Sequence, residues 1–217
     1  MLYYMQVGGI FMWPIFFLAM FSLAVVLEKI SYNIFRLRDL NSKFKVNIFN
    51  ILNAQDLEKI VVFCQKYKNP LAKVINSSFE FYKKNRNLSK NEYEFVVKTM
   101  VDNEISKLEK NGWILGICIS AAPQLGLLGT IVGMIKSFGA LSAAGDPTLV
   151  AGGISEALYT TAFGLLVAIP VLVFHVYFVN RNDIVIENLE KVEILLLKKF
   201  ENNKREEQKE KIFIIYQ

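Results

Sequence analysis

Three stretches of this chain run without a charged side chain for about the thickness of a bilayer. Residues 1–27 carry no Lys, Arg, Asp or Glu, and neither do residues 111–135 or 157–180. A helix rises ~1.5 Å per residue, so ~20 apolar residues cross a ~30 Å hydrocarbon core. The pattern predicts three membrane-spanning helices near 7–28, 112–140 and 152–179. Elsewhere the pattern turns amphipathic. Leu57, Ile60, Val61 and Cys64 recur at helical spacing after Asn53, which reads as an N-cap. Pro70 restarts the chain, and Leu71, Val74, Ile75, Phe79 and Tyr82 form a second stripe. Ser89 and Glu92 in "SKNE" spell a capping box. Val97, Val101, Ile105 and Leu108 follow with no breaker before Gly112, which predicts one long helix from about 90 into the second span. Ile186, Leu189, Val192, Leu196 and Phe200 carry the third span onward past the membrane.

The expected fold is therefore all-α, a polytopic membrane protein with long helices extending into the cytoplasm. The expected organisation is a first span with a short periplasmic N-terminus (1–30), a cytoplasmic helical insert (31–110) and a second span (111–141). A periplasmic turn (142–151), a third span (152–182) and a cytoplasmic tail (183–217) complete it.

The three spans differ in side-chain size. The first is bulky, with Phe11, Trp13, Phe16, Phe17 and Phe21, and reads as lipid-facing. In the second, Gly126, Gly129, Gly133 and Ser137 recur every three to four residues, and in the third Ala157, Thr161, Gly164 and Ala168 do the same. Small residues at that spacing let helix backbones approach closely, either within one subunit or between subunits around a central axis. Among them sit Thr130, Lys136, Glu156, Thr160 and Thr161. A threonine hydroxyl is cheap in a helix because it can bond the carbonyl one turn back. A carboxylate at membrane depth is not, and points to a functional role by default. Reflection of the helical hairpin about residue 146 puts Lys136 opposite Glu156, roughly 10–15 Å from the turn, with Thr130 opposite Thr161 deeper in. At 100° per residue Glu156 shares a face with Thr160, whereas Thr161 lies on the small-residue stripe. Thr130 and Thr161 are thus candidates for a shared lumen. Glu156 is a candidate for its edge or a helix seam, where it could pair with Lys136; the alternative for Lys136 is snorkelling to the interface.

The charge layout fixes the expected orientation. The net charge is +5, but sixteen of the 25 Lys/Arg lie in 29–110 and eight in 181–211, with Lys136 the other one. This positive-inside pattern places the insert and tail in the cytoplasm. Acidic residues are mixed among the basic ones, which describes a solvated surface and not a nucleic-acid stripe. The first span lacks the basic n-region and small-residue cleavage site of a signal peptide. Cys64 and Cys118 fall in different compartments, so neither a disulfide nor a metal site is expected. No nucleophile–base pair or phosphate loop supports an enzyme, and no cofactor is implied.

"AAPQLGLLGTIVGMIKSF" (121–138) and "GDPTLVAGGISEALYTTAFGLLVAIP" (145–170) resemble the two signature helices of the ExbB/TolQ/MotA ion-channel family, the ExbB-like branch most closely. "GGIFMWPIFFLAMFSLAVVLEKI" (8–30) is similar to that branch's first span. The resemblance is weak in 40–90 and in the tail. It implies a subunit of the Gram-negative inner membrane, forming a homo-pentamer around an ExbD-like single-span partner. Proton flow would drive a conformational change passed on to a TonB-like protein. It also implies that Thr130, Thr161 and Glu156 hold the family's lumenal threonine and glutamate positions, while the proton-carrying aspartate belongs to the partner. Thr160 departs from the aliphatic or small residue of many relatives, and His175-Val176 stands where they commonly read Tyr-Asn. Toward the cytoplasmic end, His175 reads as an interfacial aromatic-like filler, with a role in proton exit as the alternative. A TolQ-like envelope motor and a non-conducting membrane scaffold are the competing readings.

Overall fold

The computed structural model describes residues 9–37, 40, 42–53, 57–85, 88–144 and 147–215. These residues form helices and no strand. In chain order they are α1 (Met12–Arg36), α2 (Ser42–Asn53), α3 (Leu57–Cys64), α4 (Pro70–Lys84), α5 (Lys90–Glu109), α6 (Gly112–Ala144) and α7 (Pro147–Ile215). Three helical stretches are long and apolar enough to cross a membrane: Met12–Phe35, one within Lys90–Ser142 and one within Val150–Glu206.

The chain divides into two compact units. One takes the chain up to Ile30 together with Asn111–Asn180, and the other takes Ser31–Lys110 together with the chain from Arg181 onward.

The first unit holds the apolar spans. Ile15, Val25, Val26, Leu115, Cys118, Ala122, Val167, Ala168, Val171 and Phe178 are its interior. Its exterior is as greasy as its core, with Trp13, Phe17, Phe21, Ile135, Leu166, Ile169 and Val173 exposed. That inversion of the soluble pattern suits a surface whose solvent is lipid. Pro123 and Pro170 both lie inside helices, as membrane-spanning helices tolerate.

The second unit buries the amphipathic stripes. Ile60, Cys64, Leu71, Val74, Ile75, Val97, Val101, Leu108, Leu189, Val192, Leu196 and Phe200 share one core. Tyr93 stacks on Phe200 with ring centroids 4.3 Å apart, and its hydroxyl meets Ser78 Oγ at 2.5 Å. Burial pushes the Tyr93 phenol and the Cys64 thiol up to about 12. Asn69 caps α4 by accepting from Ala72 N at 2.8 Å, with Pro70 at the first helical position. The Ser89–Glu92 capping box closes in both directions.

Three local expectations change. The helix predicted to run unbroken from about 90 into the second span stops at Glu109. Asn111 adopts φ 62°, the left-handed region that Asn tolerates better than most residues. Its amide donates to both carboxylate oxygens of Glu28, at 3.1 and 2.9 Å, and its carbonyl accepts from Ile114 N. The break is stabilised by partners distant in sequence, which no local pattern announces. Asn53 is the last residue of α2 and not the N-cap of the next helix, so a helix occupies 42–53 where none was expected. Helix also fills most of the predicted turn at 142–151, since α6 runs to Ala144 and α7 opens on Pro147. Pro at a first helical position loses no intrahelical bond. Gly145 and Asp146 lie outside the described residues.

Candidate ion pathway

All the predicted polar positions fall in the first unit, along the seam where α6 packs on α7. The close approach follows from glycine. A Cβ on Gly126 would lie 2.9 Å from the Thr160 carbonyl oxygen, and one on Gly133 would lie 2.7 Å from Ala157 Cβ. A Cβ on Gly129 would lie 2.8 Å from Thr160 Oγ1, and one on Gly164 would lie 2.5 Å from the Ala122 carbonyl oxygen. None of these positions has room for a side chain. Of the two uses left open for the small-residue stripes, Gly126, Gly129, Gly133, Ala157 and Gly164 are occupied in packing within one chain. Ala168 is buried in the same unit's core.

Thr130 and Thr161 each sit fourteen positions from the near end of their helix, Ala144 and Pro147 respectively. That sets both ~21 Å down the hairpin, and their hydroxyls are hydrogen-bonded to each other. The pair is also surrounded by backbone acceptors. Thr130 Oγ1 lies 3.2 Å from Gly126 O and 3.1 Å from Ala157 O, and Thr161 Oγ1 lies 3.0 Å from Gly126 O. Each hydroxyl has one proton, so two orientations satisfy the pair. In one, Thr130 donates to Thr161 and Thr161 to Gly126 O. In the other, Thr161 donates to Thr130 and Thr130 to Ala157 O. Interconversion moves no heavy atom. Thr160 is buried and donates to Ala157 O at 2.6 Å, so it does not join the pair.

Nearer the turn, a cavity of about 80 Å³ opens between the two helices and the segment just before α1. Its lining includes Gly9, Phe11, Lys136, Ser137, Glu156 and Thr160. Glu156 and Lys136 are therefore brought to one cleft, as hairpin reflection expects, but no direct ion pair joins them among the described residues. Ser137 Oγ donates to Gly133 O at 2.9 Å. His175 is half-buried on α7 and lines neither the hydroxyl pair nor the cleft.

Sequence reasoning passed over Gly9 and Gly153. Gly9 has φ 70°, and a Cβ there would lie 2.6 Å from Glu156 Oε1. A Cβ on Gly153 would collide with the Ser137 hydroxyl. The only signal for either was a Gly-Gly pair beside an uncharged run.

Residues 66–191, more than half of the chain, match the sequence profile of the MotA/TolQ/ExbB proton channel family. The chain belongs to that family. It is ExbB-like in the relatives it matches over most of its length. It is 30% identical to a biopolymer transport protein ExbB homologue of Methanothermobacter thermautotrophicus, over 90% of this chain and 67% of that protein. It is 26% identical to an ExbB-like protein of Synechocystis, over 77% of this chain and 79% of the other. A shorter match, 46% identical over 72 residues, reaches the Tol-Pal system protein TolQ of Haemophilus influenzae and covers 32% of each chain. With its three apolar helical stretches, this member of the MotA/TolQ/ExbB family is a multi-pass membrane protein. Among its described residues no cluster of His, Cys, Asp or Glu could hold a metal ion.

Proposed function

We propose that this chain is the ExbB-like subunit of a proton-driven motor in the inner membrane. It would form a pentamer around an ExbD-like single-span partner, with its N-terminus periplasmic and its C-terminus cytoplasmic. The proton-motive force would thereby energise TonB-dependent transport across the outer membrane. The observation that carries the reading is the Thr130–Thr161 hydroxyl pair, which can reverse its hydrogen-bond direction without moving helices. Such a pair can pass or solvate a proton while holding no fixed charge. One charge crossing 100 mV supplies ~2.3 kcal/mol, enough to bias a mechanical step if the proton binds a group coupled to motion. In this reading that group is the partner's carboxylate, and Thr130, Thr161, Thr160 and Glu156 line its path.

The test is proton flux into liposomes containing this chain with and without its single-span partner, read by a trapped pH-sensitive dye. Flux is expected only when both are present and a membrane potential is applied. Absence of flux in the complete complex would leave a non-conducting scaffold. The scaffold reading has its own support, because the threonine hydroxyls also tie α6 to α7 through backbone carbonyls.

A TolQ-like role in envelope integrity is favoured by the 46% identity to a TolQ over 72 residues. A deletion strain separates the two motors. Loss of iron-chelate uptake supports the ExbB-like role, and leakage of periplasmic contents supports the TolQ-like one.

A further inference from the structure

Glu156 needs a partner for its charge, and the cleft offers one. The hydroxyls of Ser137 and Thr160 are committed to carbonyls of their own helices, at 2.9 and 2.6 Å. Both hydroxyls are turned to those carbonyls, and neither donates to the carboxylate among the described residues. The segment just before α1 contributes Gly9, Ile10 and Phe11, and α7 contributes Gly153, Glu156, Ala157 and Thr160, none of them basic. Among the described residues Lys136 is the one positively charged group lining the cavity, and it comes from the opposite helix. The cavity of about 80 Å³ exceeds the ~10–15 Å³ that a single water requires. Water can therefore bridge the ammonium and the carboxylate, which do not touch directly.

We infer that Lys136 is the fixed counter-cation of Glu156, and that the two act as a water-bridged charge pair. On this account Glu156 is a positioning residue, and the transported proton is carried by other groups. The inference rests on the ion-pathway reading above and deepens it by assigning the transported proton to other groups. The pair lets two opposite charges lie together within the apolar spans. Its loss would leave an uncompensated charge in the membrane whichever residue is removed.

The experiment is a double-substitution cycle in the complete complex, using Glu156→Gln, Lys136→Gln and the two together. Flux per assembled complex is measured from pH 5 to 8 alongside the yield of intact oligomer in the membrane. Each single substitution is expected to lower flux or yield by about fivefold or more, and the double one to recover at least half of that loss, as coupled charges do. The double variant is expected to keep the wild-type pH profile, and a changed profile would show that Glu156 itself takes up the transported proton. A double variant as impaired as Glu156→Gln, beside a Lys136→Gln variant that behaves as wild type, would overturn the inference. If the wild-type complex carries no protons, the function proposed above fails by itself. Oligomer yield then still decides whether the two charges are coupled.

Discussion

The side chains of Thr130 and Thr161, thirty-one positions apart in sequence, meet hydroxyl to hydroxyl across the α6–α7 seam. Each also lies within hydrogen-bond distance of the Gly126 carbonyl. Valine is isosteric with threonine and lacks the hydroxyl, so Thr130→Val or Thr161→Val breaks the relay while keeping the packing. Either is expected to cost ~1 kcal/mol of stability and to cut proton flux more than about tenfold, the size of one hydrogen bond to a charge. Thr→Ser at either position should retain most flux. Equal losses for Val and Ser in the liposome assay would assign these positions to shape and not to hydrogen bonding.

Gly164 and Gly116 make a matched pair for the packing argument. A Cβ on Gly164 would lie 2.5 Å from the Ala122 carbonyl oxygen, which is backbone and cannot turn aside. One on Gly116 meets nothing within 4 Å. Gly164→Ala should therefore force the helices apart at ~1–3 kcal/mol, the usual cost of overpacking. Gly116→Ala should be neutral or stabilising by up to ~1 kcal/mol, through helix propensity. Thermal unfolding of the purified protein in detergent measures both. A marked loss at Gly116 would show that another chain covers that face of α6.

These two relationships were legible in the sequence to different degrees. Thr130 opposite Thr161 followed from counting helical positions back from Gly145-Asp146-Pro147, because an antiparallel hairpin in a membrane has few other registers. The amphipathic stripes of α4, α5 and α7 were equally readable, since burial follows periodicity directly. Asn111 was not, because its left-handed turn depends on Glu28, eighty-three residues away. Helix α2 was missed because Asn53 is an acceptable residue at either end of a helix. Gly9 against Glu156 needs the segment just before α1 placed beside α7, and glycine carries no side chain through which a pattern could announce that.

In the second unit, Glu104 is 4% exposed and one of its oxygens takes both Lys73, at 2.7 Å, and Lys107, at 2.6 Å. Burial pushes this carboxyl up, and the hydrogen bonds from Lys107 and Lys73 outweigh it, leaving the group below the ordinary carboxylate range. A folded value below the unfolded one means stability that is complete above the unfolded value near ~4.3. It is lost as pH falls through the lower folded value. Glu104→Ala should cost ~1.5–3 kcal/mol at neutral pH, the range for hydrogen bonds to a charged group. The difference from wild type should shrink below about pH 4, where the native carboxyl also takes up its proton. Melting temperatures of both proteins between pH 3.5 and 7.5 test this, and a gap that stays constant across the range would remove Glu104 from the acid response.

Gly9 meets two separate demands, and they can be pulled apart. Its φ of 70° disfavours a side chain on backbone grounds, and its contact with Glu156 Oε1 disfavours one on space. Asparagine tolerates the backbone angle better than alanine but still adds a Cβ. Gly9→Ala should therefore destabilise the protein by ~1–2 kcal/mol, and Gly9→Asn by less. Both should reduce flux to a similar extent, because either displaces the Glu156 carboxylate. In a Glu156→Ala background no side-chain atom remains at the contact, so Gly9→Ala should add little further loss of flux. If its effect there is as large as in the wild type, Gly9 acts through the backbone turn alone, and the segment just before α1 has no part in holding Glu156 within the cleft.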